Sequence, residues 1–229
     1  MDIRKYFKVT SKNNFFGEST NNISNIINKN IILEKKKLEN NDEIMINKFK
    51  DIDTNENLIF TDGSTFNNHL HPSKRHGGVG VYFEDESIQN ISFMLEDCKI
   101  SNNVAELTAI KMAIESVINK KTDNKPQIKI FTDSKYSIDC FEKYCKQWET
   151  NNWKKYNRGK ASNDIKNLEL IKHIWNYYKS YNIQFVHINS HQIEPNDKNS
   201  FKHRLWYGND HADKLAVEAS KKSKFKNSI

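Results

Sequence analysis

The sequence predicts an α/β fold in which a five-stranded mixed sheet is flanked by helices, and three observations predict it. From Leu58 onward, short apolar runs rich in β-branched and aromatic residues are each stopped by turn-forming residues. The first three runs follow one another with no helical pattern between them, as antiparallel strands do. Beyond them helical and strand patterns alternate, which indicates a mixed sheet with helices packed on it.

Leu58-Ile59-Phe60-Thr61 reads as a buried strand that ends at Asp62-Gly63-Ser64, a turn signal. Val79 to Phe83 is a second strand, and Ile88, Ile91, Phe93 and Leu95 mark a third from Ile88 to Leu95. Val104, Leu107, Ile110, Ile114 and Val117 recur at three- and four-residue intervals, so the next element is an amphipathic helix with its apolar side on the sheet. Gln127 to Thr132 is a strand stopped by Asp133-Ser134, followed by a helical pattern from about Lys135 to Trp148. Asn163 or Asp164 caps a third helix reaching about Tyr178, and Ile183 to Ile188 is the last strand. After a polar loop containing Pro195, a closing helix starts near Asn209 and fades into Lys221, Lys222 and Lys224.

Residues 1–57 have a different texture, dominated by Asn, Lys, Ile and Glu, with Gly17 as the one glycine and no sustained alternation. They read as a solvated tether. The chain thus divides into a tether at 1–57, one folded domain at 58–220 and a basic tail at 221–229. No apolar run approaches the length of about eighteen residues that a membrane span needs, and the N-terminus lacks the pattern of a secretory signal. No membrane partner is expected. Cys98, Cys140 and Cys145 are odd in number and contain no C-x-x-C pair, which argues against both a disulfide framework and a zinc site. Reduced thiols fit an intracellular compartment best, and nucleus or cytoplasm is expected, with a viral source compatible. A formal net charge of +7 favours a polyanionic partner, since each neutralised phosphate releases counterions.

Asp62 and Asp133 share one local context, an apolar strand with Thr before the acid and Ser or Gly-Ser after it. Both are expected at strand ends. If those strands are parallel neighbours, the carboxylates emerge side by side, which is costly unless a cation neutralises them. Glu106 falls in the first turn of the amphipathic helix and Asp213 at the start of the last one. Four converging hard oxygen ligands suit Mg²⁺, with Mn²⁺ as a substitute, and a pair of such ions supports phosphodiester hydrolysis by water. Each acid singly is an ordinary turn or cap residue, and the combination carries the weight.

Four blocks now stand in order: Phe60-Thr61-Asp62-Gly63-Ser64, Ser101-Asn102-Asn103-Val104-Ala105-Glu106-Leu107, Phe131-Thr132-Asp133-Ser134-Lys135-Tyr136, and Gly208-Asn209-Asp210-His211-Ala212-Asp213-Lys214-Leu215-Ala216. Together they resemble the catalytic domain of type 1 ribonuclease H, over about Leu58 to Ser220. The resemblance implies a ribonuclease-H-like sheet, with Asp62, Glu106, Asp133 and Asp213 as catalytic, metal-binding acids for two ions. It also implies endonucleolytic cleavage of the RNA strand of RNA/DNA hybrids, in replication or primer removal, by a monomer. His191 looks like the family's mobile histidine, which assists proton transfer or product release. The loop from Gln192 to Tyr207 is longer than in typical members and carries Lys198, Lys202, His203 and Arg204.

The same resemblance implies the substrate contacts. Asn102, Asn103 and Asn68 match positions that touch RNA 2′-hydroxyls, to which amides both donate and accept. Lys99, Ser101 and Asn163 match a phosphate pocket for the DNA strand, with Lys where Arg is more usual. Tyr144 and Trp148 match the aromatics of a DNA channel, beside a basic protrusion with Trp153, Lys154, Lys155, Arg158 and Lys160. At the N-terminus, residues 1–8 look like a sliding-clamp-binding peptide with Ile3, Tyr6 and Phe7 as anchors, lacking the usual leading Gln. Two other readings share this fold: a non-catalytic nucleic-acid binder, which loss of an acid would favour, and a DNA-strand-transfer or resolving enzyme. All four acids are present, and the Asn102-Asn103 pair with His191 favours the ribonuclease.

Overall fold

The computed structural model describes residues 56–71, 74–96, 100–120, 126–157, 160–162 and 165–226. Ile3, Tyr6, Phe7, Lys99 and Asn163, and the tether up to residue 55, lie outside the described residues. Strands β1 (Ile59–Phe66), β2 (His76–Phe83) and β3 (Ile91–Leu95) form an antiparallel meander. β4 (Gln127–Thr132) pairs parallel with β1, and β7 (Asn182–His187) pairs parallel with β4. The sheet order is β3-β2-β1-β4-β7, the five-stranded mixed sheet expected, while β5 (Lys155–Asn157) and β6 (Lys160–Ser162) form a separate small hairpin.

The helices are α1 (Asn102–Lys120), α2 (Lys135–Asp139), a wide π turn (Cys140–Tyr144), α3 (Cys145–Thr150), α4 (Leu168–Ser180) and α5 (Phe201–Lys226). On one sheet face the buried stripe of α1, including Ala105, Leu107, Ile110, Ile114 and Val117, meets Val79, Val81, Ile128 and Ile130. Ile171 and Ile174 of α4 and Phe141 complete that core. Strand residues alternate between faces, so Phe60, Gly78, Gly80 and Phe131 face the other way, where α5 lies. Here the rings of Phe60 and Phe131 sit 5.1 Å apart. A Cβ on Gly208 of α5 would fall 2.2 Å from the Phe60 ring.

Several boundaries differ from the sequence expectation, and β2 begins at His76, three residues ahead of Val79. β1 continues through Asp62, Gly63 and Ser64 to Phe66 because β2 offers it partners down to Gly78, Gly77 and His76. Asp62 therefore lies within a strand. β3 begins at Ile91, since Ile88 is spent in a turn and the Asn90 side chain accepts the Phe83 N–H at 2.8 Å. α4 begins at Leu168, behind Asn167. α5 begins at Phe201, ahead of Asn209, because Ser200 caps it: its Oγ accepts from the His203 N–H and its carbonyl from the Arg204 N–H, both at 3.1 Å. Arg204 then fastens the new first turns, with Nε donating to Glu84 Oε1 at 2.8 Å and a terminal nitrogen to Glu84 Oε2 at 2.6 Å. Among the described residues no helix is long and apolar enough to cross a membrane.

α5 reaches the sheet only because β2 is bare where it crosses. A Cβ on Gly80 would fall 2.0 Å from the carbonyl oxygen of Ala212, and one on Gly78 would fall 2.2 Å from that of Ala216. Both obstacles are backbone, so the helix itself would have to shift. Gly80→Ala is expected to lower the unfolding free energy by about 1–3 kcal/mol, read as a fall in the urea midpoint. A midpoint equal to that of the parent protein would refute this packing.

Candidate active site

The register of β1 and β4 pairs Thr61 with Thr132, so Asp62 and Asp133 each follow one member of a paired couple on adjacent parallel strands. Gly63 lets α1 come down on β1: a Cβ there would lie 2.4 Å from the Glu106 backbone nitrogen. That approach delivers Glu106, in the second turn of α1, to the two aspartates. Ligand oxygens of Asp62, Glu106 and Asp133 all lie within 4.8 Å of one another. Asp213, midway along α5, stands outside that cluster but near enough for its charge to raise both Asp62 and Asp133. Its helix runs on well before it, contrary to the expectation that it opens the last helix.

The electrostatics record the crowding. Burial, then the charges of Asp133 and Asp213, push the Asp62 carboxyl up to about 7. Burial, then Asp62 and Asp133, hold Glu106 well above the usual carboxylate range. The nearby Gly63 backbone N–H pulls both carboxyls the other way and partly offsets this. Asp133 is raised too, chiefly by burial, with His191 and His187 pulling the other way. Glu106 Oε2 is buried and finds no hydrogen-bond partner among the described residues. A buried acceptor left unsatisfied costs about 1–3 kcal/mol, and a divalent cation seated among these oxygens would satisfy it. The donor set, all carboxylate, is that of a hard cation.

The remaining predicted residues fall in several places. His191 lies exposed in the loop after β7 with φ of 49°, a left-handed conformation rare for a non-glycine residue, and its charge reaches Asp133. Asn102 opens α1 and its side chain meets Thr65 Oγ1 of β1. Ser101 caps the same helix, with Oγ accepting from the Val104 N–H at 3.3 Å. Asn68 is exposed in the turn after β1. Asn103, Tyr144 and Trp148 come together at one cleft of about 470 Å³, lined also by Gln147, Lys154, Lys155 and Lys166. The Tyr144 and Trp148 rings are stacked there with centroids 5.5 Å apart. Lys99 and Asn163 lie outside the described residues. Trp153 packs against the core, with the Lys172 ammonium 5.6 Å from its ring centre.

Three further residues bear on the site and were not expected there from the sequence: His187, Gly63 and Lys166. His187 pairs in register with Thr132, directly before Asp133. Its place four residues ahead of His191, at the end of a strand, was the available signal. Gly63 looked like a turn glycine and works as a close-approach glycine.

Residues 54–221 match the family model described as RNase H. The chain belongs to the RNase H family. It is 30% identical over 159 residues to a ribonuclease H of Schizosaccharomyces pombe, covering 69% of this chain and 51% of that protein. It is 30% identical over 147 residues to a probable ribonuclease H of Acanthamoeba polyphaga mimivirus, covering 64% of this chain and 59% of that one. The chain thus spans between half and three-fifths of those two relatives. Among solved structures the PFV RNase H domain shares the fold, with a TM-score of 0.52 and 22% identity over 72% of this chain and 94% of that chain. The RNase H family is metal-dependent, and the acid cluster of this member fits a metal.

A pH dependence follows for the metal-free protein. The Asp62 carboxyl sits at about 7 when folded, above its ordinary 3.8, so the folded state binds this proton more tightly than the unfolded chain. The stability it contributes is full at low pH and is lost as pH rises through about 7. In EDTA, Asp62→Asn should therefore raise Tm at pH 8 and change it little at pH 4. An equal Tm difference at both pH values, followed by circular dichroism, would contradict the raised carboxyl.

Proposed function

We propose that this chain is an endonuclease that hydrolyses the RNA strand of RNA/DNA hybrids, with Asp62, Glu106, Asp133 and Asp213 holding two Mg²⁺ ions that Mn²⁺ can replace. The observation that carries the reading is the meeting of three acids from separate elements within 4.8 Å, with the charge of Asp213 bearing on Asp62. Such ions, when bound, activate water and stabilise the leaving oxygen of a phosphodiester.

The side chains of this chain supply the rest. Asp62 and Glu106 give rigid ligand oxygens because β1 and α1 are locked together at Gly63. Glu106 Oε2, unsatisfied and buried, is a ready ligand atom. Asp133 is the acid that both His191 and His187 act upon, so its outer side is the one open to proton traffic. His191, exposed on its loop, carries a proton between that side and solvent on a ring nitrogen.

Recognition follows the surface beside the acids. Asn102 and Asn103, opening α1 one turn before Glu106, offer amides to RNA 2′-hydroxyls, and Asn68 adds another from the turn after β1. Across α1 the cleft presents the stacked Tyr144 and Trp148 to the DNA strand, and Lys154, Lys155 and Lys166 to its phosphates. Lys99, Ser101 and Asn163 contribute the phosphate pocket by sequence resemblance. So do the proposed primer-removal role in nucleus or cytoplasm, the monomeric state, and clamp recruitment through Ile3, Tyr6 and Phe7.

End-labelled RNA/DNA, RNA/RNA and DNA/DNA duplexes incubated with Mg²⁺ test the reading. The parent protein should cut RNA in the hybrid alone. Asp133→Asn should lose at least about a thousandfold in rate, and His191→Ala about a hundredfold. Cleavage of the DNA duplex, or full activity in Asp133→Asn, would refute the proposal.

A further inference from the structure

The helical run after β4 carries an irregularity of winding whose effect falls on the cleft. Its buried residues are Ser137 and Ile138, then Cys140 and Phe141, then Cys145. At about 3.6 residues per turn, a regular helix would share the space beneath Phe141 between the residues three and four further on, turning both Tyr144 and Cys145 partly toward the core. The chain closes this turn differently: the Cys145 N–H donates to the Cys140 carbonyl, five residues back. The additional residue leaves Cys145 fully buried and carries Tyr144 outward to 43% exposure. There its ring stacks on Trp148 with an interplanar angle of 27°.

Trp148 is held from its other end. Its carbonyl accepts the Trp153 N–H at 2.6 Å, across a reversal in which Asn152 and Trp153 both have positive φ, 53° and 58°. Glu142 and Lys143, on the turn itself, are exposed. A π turn has poorer geometry than an α turn and concentrates at functional sites. Here its product is an aromatic pair on the wall of a cleft whose other polar lining includes three lysines.

We infer that the wide turn Cys140–Tyr144 is a positioning element: the residue it adds rolls Tyr144 out of the core onto Trp148, and the stacked pair then sets the affinity of the cleft for the DNA strand, a role that rests on the reading of that cleft given above. The tyrosine ring contributes by facing the cleft, and an aromatic one position away on the same helix does not replace it.

Four variants of the full chain test this: the exchange Lys143→Tyr with Tyr144→Lys, which moves the ring one position between two exposed sites; deletion of Lys143, which restores α winding; Tyr144→Ala; and Tyr144→Phe. Binding of a fluorescein-labelled RNA/DNA hybrid is read by anisotropy with Ca²⁺, and KM and kcat are read with Mg²⁺. The exchange variant should show Kd and KM raised about tenfold with kcat changed less than threefold, matching Tyr144→Ala, while Tyr144→Phe stays within twofold of the parent in all three. The deletion variant, where folded by circular dichroism, should match the exchange variant. Kd and KM within twofold of the parent in the exchange variant would overturn the inference, whatever the deletion does. A parent protein that binds the hybrid without cutting it would sink the proposed activity and leave the anisotropy comparison to decide the turn. No binding by the parent would overturn both.

Discussion

The rest of the structure depends on how closely two helices approach the sheet at three glycines. At Gly63 the α1 backbone lies where a side chain would otherwise stand, and at Gly78 and Gly80 the α5 backbone does the same from the opposite face. Glycine permits such contact because it has no Cβ. The effect is to draw Glu106 from one helix to Asp62 and Asp133, and to bring Asp213 of the other within electrostatic reach of them. Without those approaches the acids would remain separated by the thickness of ordinary side chains. With them, like charges are forced together in a partly dry pocket, and the raised carboxyls of Asp62, Glu106 and Asp133 show the cost.

That cost is offset by unequal packing on the two faces. The face under α1 holds a broad aliphatic core running through Val79, Val81, Ile110, Ile114, Ile128 and Ile130. The face under α5 holds Phe60 and Phe131, with alanines of the helix seated on bare β2. α5 is secured at its start by the Arg204 fork on Glu84 and by its Ser200 cap. The acids therefore sit on a seam whose two sides are independently anchored, so their repulsion cannot open it cheaply. Metal binding and stability are coupled on this account, because a cation among these oxygens relieves a strain that folding imposes.

Much of this was legible in the sequence, and what was not has physical reasons. The strands around Asp62 and Asp133 declared themselves because both are apolar runs ended by small polar residues, and the helix of Glu106 because its apolar spacing is regular. The extent of β1 was hidden, since Gly63 and Ser64 look like a turn until the partner glycines of β2 are seen beside them. The start of α5 was hidden because its first turns are polar and are stabilised by distant Glu84. The wide turn at Cys140–Tyr144 was invisible, since Ile138, Phe141 and Cys145 keep a spacing that α winding also satisfies. His187 was missed because a strand-end histidine acquires meaning only when the register sets it beside Thr132.

The most direct measurement is anomalous diffraction from crystals of the full chain grown with Mn²⁺ and a non-cleavable RNA/DNA hybrid. Manganese peaks are expected among the carboxylates of Asp62, Glu106, Asp133 and Asp213, with Glu106 Oε2 as one ligand. Well-ordered carboxylates with no anomalous peak among them, at Mn²⁺ concentrations that saturate the protein in solution, would contradict it.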